Sequence, residues 1–486
     1  MKSNGLLSLS LVAMGLACSL SATAVEKQNV LFIAVDDLRP ELGCYGSTNI
    51  KSPNIDKLAS QGLVFDRAYC QQAICMASRA SLLSGYRPDK GQIYGNKALY
   101  THVPDALSIN KHFKANGYET VAVGKIYHHH SDYSVGWDKV AKLKGEWKGR
   151  GYLGKEAIAI AAAYDRKQRE SKKKNNKKKK WGLGPAYEGP DVPDNAYIDG
   201  MTADFAIKEL HRLKDKPFFL AVGFAKPHLP FNAPKKYWDM YSPDEIELAK
   251  NPFAPKGKTK YTATGWGELR SYHGMPRKGP MPDNLARELK HGYFACITYM
   301  DAQLGRVLAE LDRLKLRDST VIILWGDHGW KLGEHGMWCK HTNFEIDTHV
   351  PMMVSAPGMT TRGKHTRALS EFVDIYPTLC ELAGIPKPNH LEGTSFAPIL
   401  SNPDRKWKTA AFSQYPRGNI MGYSMRTDRY RYIEWQDIKT RKAVARELFD
   451  HQADEAENTN IAALKPELVQ KLSAQLKAGW KAAVPK

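Results

Sequence analysis

The 486-residue chain is 42% hydrophobic and 25% charged, which excludes a disordered chain and leaves length for a large core and a second domain. Its formal charge of +20 is partly local: residues 166–180 (RKQRESKKKNNKKKK) hold ten basic side chains and one acidic, and the rest still carries +11. An anionic polymer suits such a surface, whereas nucleic acid is not expected, because no reader module accompanies the lysine run.

The amino terminus has the pattern of a signal peptide over residues 1–24. Lys2 is followed by an apolar stretch from Leu6 to Leu20 and by Ala22-Thr23-Ala24, a small-x-small site cut after Ala24. This predicts an exported protein, periplasmic or secreted. Lipid anchoring at Cys18 ranks second, because Gly15 stands where a larger aliphatic residue is usual. No later segment is apolar for long enough to span a bilayer. The other six cysteines are widely spaced and form no Cys-x-x-Cys pair, so neither zinc nor a disulfide framework is expected.

Four apolar runs read as buried parallel strands: Asn29 to Val35, Thr120 to Gly124, Phe218 to Phe224 and Val321 to Trp325. Each ends in polar residues able to do chemistry. These are Asp36-Asp37, then Lys125 and His128, then Lys226-Pro227-His228, then Asp327-His328. Helical patterns lie between them at Pro53 to Gly62, Ala106 to Gly117 and Tyr293 to Leu314. The alternation predicts an α/β fold whose site lies beyond the carboxyl ends of the strands.

A catalytic domain is expected over 25–405, with a basic insertion near 166–193 read as an exposed loop. A second irregular stretch, Asn251 to Asp283, is placed at the border of a cleft. Residues 406–486 read as a small antiparallel sheet of four strands with one helix, Pro466 to Ala478.

Adjacent carboxylates at Asp36 and Asp37 are costly unless a cation compensates them, and Asp327 with His328 would complete an oxygen-rich site for calcium or magnesium. Cys75 begins a short helix that glycine ends at Gly85, and free N–H groups at a helix start suit a sulfate or phosphate.

The stretch from Cys75 through Ala77 and Arg79 to Ser81-Leu82-Leu83-Ser84-Gly85 resembles the signature of formylglycine-dependent sulfatases. Val35-Asp36-Asp37-Leu38-Arg39-Pro40, Gly124-Lys125-Ile126-Tyr127-His128, Lys226-Pro227-His228-Leu229-Pro230-Phe231, Asp327-His328-Gly329-Trp330 and Ser413-Gln414-Tyr415-Pro416-Arg417 resemble its iduronate-2-sulfatase branch. The resemblance covers nearly the whole mature chain. It implies an alkaline-phosphatase-like fold, with a large, mostly parallel sheet flanked by helices and a smaller antiparallel C-terminal sheet.

It also implies Ca2+ held by Asp36, Asp37, Asp327, His328 and the modified Cys75. Residue 75 would be oxidised to formylglycine (3-oxoalanine), whose hydrate attacks sulfur through one hydroxyl and expels sulfate through the other. Arg79 and Lys125 would orient the hydrate, Lys340 would offset sulfate charge, His128 would be the base and His228 the acid for the leaving sugar oxygen.

The chain departs from the branch at two positions. Ala77 replaces the proline common in the signature, which points to a radical-type formylglycine-generating maturase as partner. His341 replaces a tyrosine next to Lys340.

Trp330, Trp338 and His341 are the expected lining of the sugar cleft. The basic excess favours a sulfated carbohydrate of the carrageenan or ulvan type. A glycosaminoglycan uronate-2-sulfatase, a phosphate or phosphonate monoester hydrolase and a non-catalytic polysaccharide binder are the alternatives.

Overall fold

A computed structural model describes residues 27–143, 151–175 and 183–485. The signal sequence with Cys18, and the part of the lysine run at 176–182, lie outside the described residues.

The strands of the main sheet are β1 (Asn29–Val35), β2 (Leu63–Phe65), β3 (Glu119–Gly124), β4 (Lys139–Val140), β5 (Phe218–Phe224), β6 (Thr320–Gly326), β7 (Met352–Ser355) and β8 (Lys364–Thr366). Their spatial order is β8-β2-β7-β6-β1-β5-β3-β4. β1 lies parallel to both β6 and β5, and β3 is parallel to β5. β7 alone runs against its neighbours, pairing antiparallel with β6 and β2. The four apolar runs are thus the four central parallel strands, and their carboxyl ends emerge side by side.

Burial on both faces explains why these strands lack an alternating pattern. Leu31, Ile33 and Val35 of β1 pack into one apolar layer together with α3 (Ile198–Leu213) and α4 (Asp283–Arg313), the other two main helices, α1 (Cys75–Ser84) and α2 (Lys155–Asn175), preceding them in the chain. Val30, Phe32 and Ala34 face the other layer, which α1 supplies with Met76, Ala77, Ala80, Leu82 and Leu83. α4 begins ten residues before the periodicity from Tyr293 indicates. Pro282 supplies the extended residue before it, and its polar first turns hide the amphipathic pattern.

The basic stretch is not a simple loop. α2 runs from Lys155 to Asn175, through residues 166–175. The Ala-rich segment before it, followed by Arg, Lys and Gln, has high helix propensity, and this outweighs the charge repulsion.

The C-terminal sheet is a meander of β9 (Ala411–Arg417), β10 (Ile420–Arg426), β11 (Tyr430–Asp437) and β12 (Ala443–Asp450), all antiparallel. α5 (Pro466–Ala478) covers it through Leu472. Among the described residues no helix is long and apolar enough to cross a membrane, and the six cysteines are free.

Candidate active site

β1 delivers Asp36 and Asp37, both fully buried. Asp37 adopts a left-handed backbone, φ +60°, a conformation rarely kept outside sites that need it. Its N–H donates to Asp327 Oδ1 at 3.0 Å, which ties the end of β1 to the end of β6. At the end of β3, Gly124 has φ +70°, and a Cβ there would meet the Gly223 carbonyl oxygen at 2.0 Å. Only glycine fits this turn, which carries Lys125 into the site.

All ten residues of α1 are buried, and Gly85 closes it with φ +73° and an N–H bonded to Ser81 O at 2.8 Å. Cys75 is therefore the first residue of this helix, and its side chain reaches the strand-end carboxylates. Its Sγ lies 3.2 Å from His328 Nε2 and 3.9 Å from Asp37 Oδ1. Burial, followed by the charge of Asp36, pushes its thiol well above the usual range. An unmodified Cys75 is thus a neutral thiol and a poor nucleophile.

Arg79, one turn further along α1, binds both strand ends. Nε donates to Asp327 Oδ2 at 2.8 Å and Nη2 to Asp36 Oδ1 at 3.1 Å, while Trp325 lies 5.5 Å beneath the guanidinium. Lys125 Nζ pairs with Asp36 Oδ2. Burial opposes ionisation of Asp36, but Lys125 and Arg79 outweigh it and hold the carboxyl well below the ordinary value. For Asp37 burial wins over Lys340, and with Asp36, Glu268 and Asp327 nearby it pushes the carboxyl well above that value. A pair split in this way is what a divalent cation would resolve.

The donor atoms suit such an ion. Asp36, Asp37, Cys75 and His228 form one group and Cys75, Asp327 and His328 another, each with its donor atoms within 4.8 Å of one another. The five expected metal residues fall within these two groups, which meet at residue 75.

Lys340 Nζ lies 2.8 and 3.0 Å from the Asp37 oxygens and 4.7 Å from the Trp330 ring centre. His228 Nε2 is 3.9 Å from Asp37 Oδ2, and Nδ1 is 2.6 Å from Leu229 O. Burial first, then Lys125, brings both His128 and His228 down to about 3, so both are neutral imidazoles here. His128 Nδ1 is buried without a partner among the described residues. A cavity of about 540 Å³ opens beside them, lined by Lys125, Tyr127, His128, His130, Tyr133 and His228.

Two expected cleft residues are corrected. Trp330 and Trp338 are only 1% and 2% exposed, so neither offers a ring face to a sugar. The segment folds back as a short hairpin, Lys331–Leu332 against Trp338–Cys339, and both indoles join the core, with the Trp330 ring beneath Lys340. His341 does stand next to Lys340. It has φ +87° and its ring is 5.7 Å from that of Tyr415.

One site residue gave no local sequence signal. Glu268, from the irregular stretch 251–283, has Oε1 3.3 Å from His228 Nε2 and Oε2 3.2 Å from Lys340 Nζ. Burial disfavours its charge, but the Lys340 ammonium holds the carboxyl far below the ordinary value. An acid spaced from any strand end, within a Pro- and Gly-rich segment, carries no periodicity by which to find it.

The family profile described as Sulfatase matches residues 28–385. The chain belongs to the sulfatase family. This sulfatase is accordingly an enzyme, a sulfuric ester hydrolase. Residues 333–482 also match the profile of the N-sulphoglucosamine sulphohydrolase C-terminal region. The chain is 33% identical to mouse (Mus musculus) iduronate 2-sulfatase, over 85% of each chain. It is 28% identical to an ulvan-active sulfatase of Formosa agariphila, over 95% of this chain and 84% of that one. In fold it is similar to a phosphonate monoester hydrolase from Silicibacter pomeroyi, with a TM-score of 0.73 at 20% identity, over 94% and 96% of the two chains.

Proposed function

We propose that this sulfatase removes sulfate from a neutral sugar ring of a sulfated polysaccharide or its oligosaccharides, of the carrageenan or ulvan type, using calcium and a formylglycine made from Cys75. The observation that carries the substrate reading is Glu268, a carboxylate within reach of both Lys340 and His228. A uronate carboxylate next to the scissile ester would face this negative charge, whereas a hydroxyl could donate to it. His341 in place of tyrosine points the same way.

Asp36, Asp37, Asp327, His328 and the modified residue 75 would hold calcium, which when bound supplies positive charge to the sulfate oxygens. Formylglycine, once hydrated, supplies an oxygen nucleophile and a second hydroxyl that can later expel sulfate. Arg79, fixed by Asp36 and Asp327, orients the hydrate at the start of α1. Lys125, held by Asp36, orients it with Arg79, and Lys340 offsets the charge that develops on the transferring group.

His128, neutral at its resting value, accepts the proton of the second hydroxyl. His228 donates to the departing sugar oxygen. It must first gain a proton, and the negative charge of the bound ester, added to that of Glu268, favours this. Export through the 1–24 signal would bring the enzyme to its polymer, and Ala77 suits a radical-type maturase acting on Cys75.

Glu268→Gln keeps the shape of the side chain and removes its charge. A like charge about 4–6 Å away costs about 3–4 kcal/mol at an effective dielectric near 20. Assayed on paired sulfated oligosaccharides, the variant is expected to gain about tenfold or more in kcat/KM for uronate-containing over neutral-ring substrates. Equal changes on both would remove the charge argument. Wild-type enzyme that prefers uronate 2-sulfates would favour the glycosaminoglycan alternative, and one that prefers aryl phosphate over aryl sulfate would contradict the sulfatase mechanism.

A further inference from the structure

A cavity of about 560 Å³ lies at the seam between the catalytic sheet region and the C-terminal meander. It shares no lining residue with the cavity beside His128. One wall is the segment after α1, with Arg87, Asp89 and Lys90; another is Phe412 and Gln414 of β9 with Tyr423 of β10. The last is the end of α5 with Lys477 and the turn after it with Trp480. Its volume is that of a site for one or two sugar units.

Both acids in its wall are already used. Asp89 accepts from Tyr94 Oη at 2.8 Å, Gln414 Nε2 at 2.9 Å and Tyr423 Oη at 3.0 Å. Glu392 Oε2 accepts from the Arg87 N–H at 2.6 Å. Of the four cations, Arg87 and Arg441 pair with Glu371 and Asp89, whereas Lys90 and Lys477 stand exposed at the rim.

Inside, Arg87 is fixed by two bonds to Glu371, at 2.7 and 2.8 Å, with its guanidinium 4.9 Å from the centre of the Trp480 ring. Its Nε, and Oε1 of the 1%-exposed Gln71, are buried with no partner among the described residues. An unpaired buried donor and acceptor each cost free energy unless a ligand or water meets them.

We propose that this cavity is a second, non-catalytic sugar site that holds a sulfated unit of the same polysaccharide chain, away from the ester being hydrolysed. The inference rests on the polysaccharide reading above. Trp480 and Phe412 give the apolar faces on which a sugar ring packs. Gln71 and Gln414 meet its hydroxyls, and Lys90 and Lys477 face its sulfate. Engaging two units of one chain raises the effective concentration of the next ester at the active site.

The test is electrophoresis of the folded protein through gels containing ι-carrageenan, with turnover of an aryl sulfate measured on the same preparations. Trp480→Ala, and separately the pair Lys90→Glu with Lys477→Glu, should each lower the apparent affinity for the polymer about tenfold, the loss expected of a central contact. Aryl sulfate turnover should be unchanged in both. A control pair elsewhere on the surface, Lys57→Glu with Lys364→Glu, should keep wild-type retardation.

Equal losses in the control and the cavity pair would mean only general charge attraction and would overturn the site. Wild-type protein that is not retarded at all would overturn it too, while intact aryl sulfate turnover would leave the sulfatase chemistry standing. Loss of aryl sulfate turnover in every variant would instead point to damage to the catalytic centre, and the cavity would not be a separate site.

Discussion

Asp327→Ala is expected to abolish turnover and divalent-metal binding together, and to destabilise the fold by about 3–5 kcal/mol, the cost of removing one partner from a buried ion pair. Asp327 is fully buried and does three things at once. It accepts Arg79 Nε, it accepts the Asp37 N–H across the two strand ends, and it belongs to one of the two donor groups that meet at Cys75. With it gone, Arg79 keeps Asp36 and two backbone carbonyls but loses its charged bond to the end of β6.

Asp327→Asn separates the effects, since the amide can keep the Asp37 N–H bond while removing the charge. It should recover most of the stability in a denaturant titration and little of the metal binding measured by calorimetry. Metal binding that survived in Asp327→Ala would exclude this residue as a ligand.

Cys75→Ser is expected to lower steady-state turnover by about 10⁴-fold or more, as removal of a nucleophile does elsewhere. The reason differs from simple loss of reactivity. A serine hydroxyl at the start of α1 sits in the same field of Arg79, Lys125 and Lys340 and can attack, but it has no second hydroxyl with which to expel sulfate.

The variant should therefore release at most one equivalent of sugar and then stall with sulfate bound to residue 75. Rapid-quench kinetics with mass analysis of the peptide would read this directly. Sustained turnover by the serine variant would mean that external water completes the cycle and that the second hydroxyl is not required.

Much of this site was legible because parallel strands buried on both faces announce themselves as unbroken apolar runs. The residues that follow such runs must emerge together at one edge of the sheet. Asp36, Asp37, Lys125, His228, Asp327 and His328 were found in this way, and α1 met them because its motif begins at Cys75.

Glu268 was not legible, since a residue in an irregular segment is placed by tertiary packing alone. Trp330 and Trp338 were misread for a related reason. They sit between two site residues in sequence, but the hairpin at 331–339 turns their rings into the core. Nor did charge alone identify the run at 166–175 as helical, because its lysines and arginines are as good helix formers as they are loop residues.

Everything in the chemistry depends on residue 75 no longer being a thiol. Burial pushes the Cys75 thiol well above its usual range, which disfavours the thiolate of the unmodified side chain. The direct measurement is peptide mass spectrometry across residue 75 in protein made by its native host, with an aldehyde-specific reagent as a second readout. The account predicts the mass of formylglycine and capture by the reagent, in proportion to the specific activity of each preparation. Fully active protein that carried an unmodified thiol at residue 75 would contradict it.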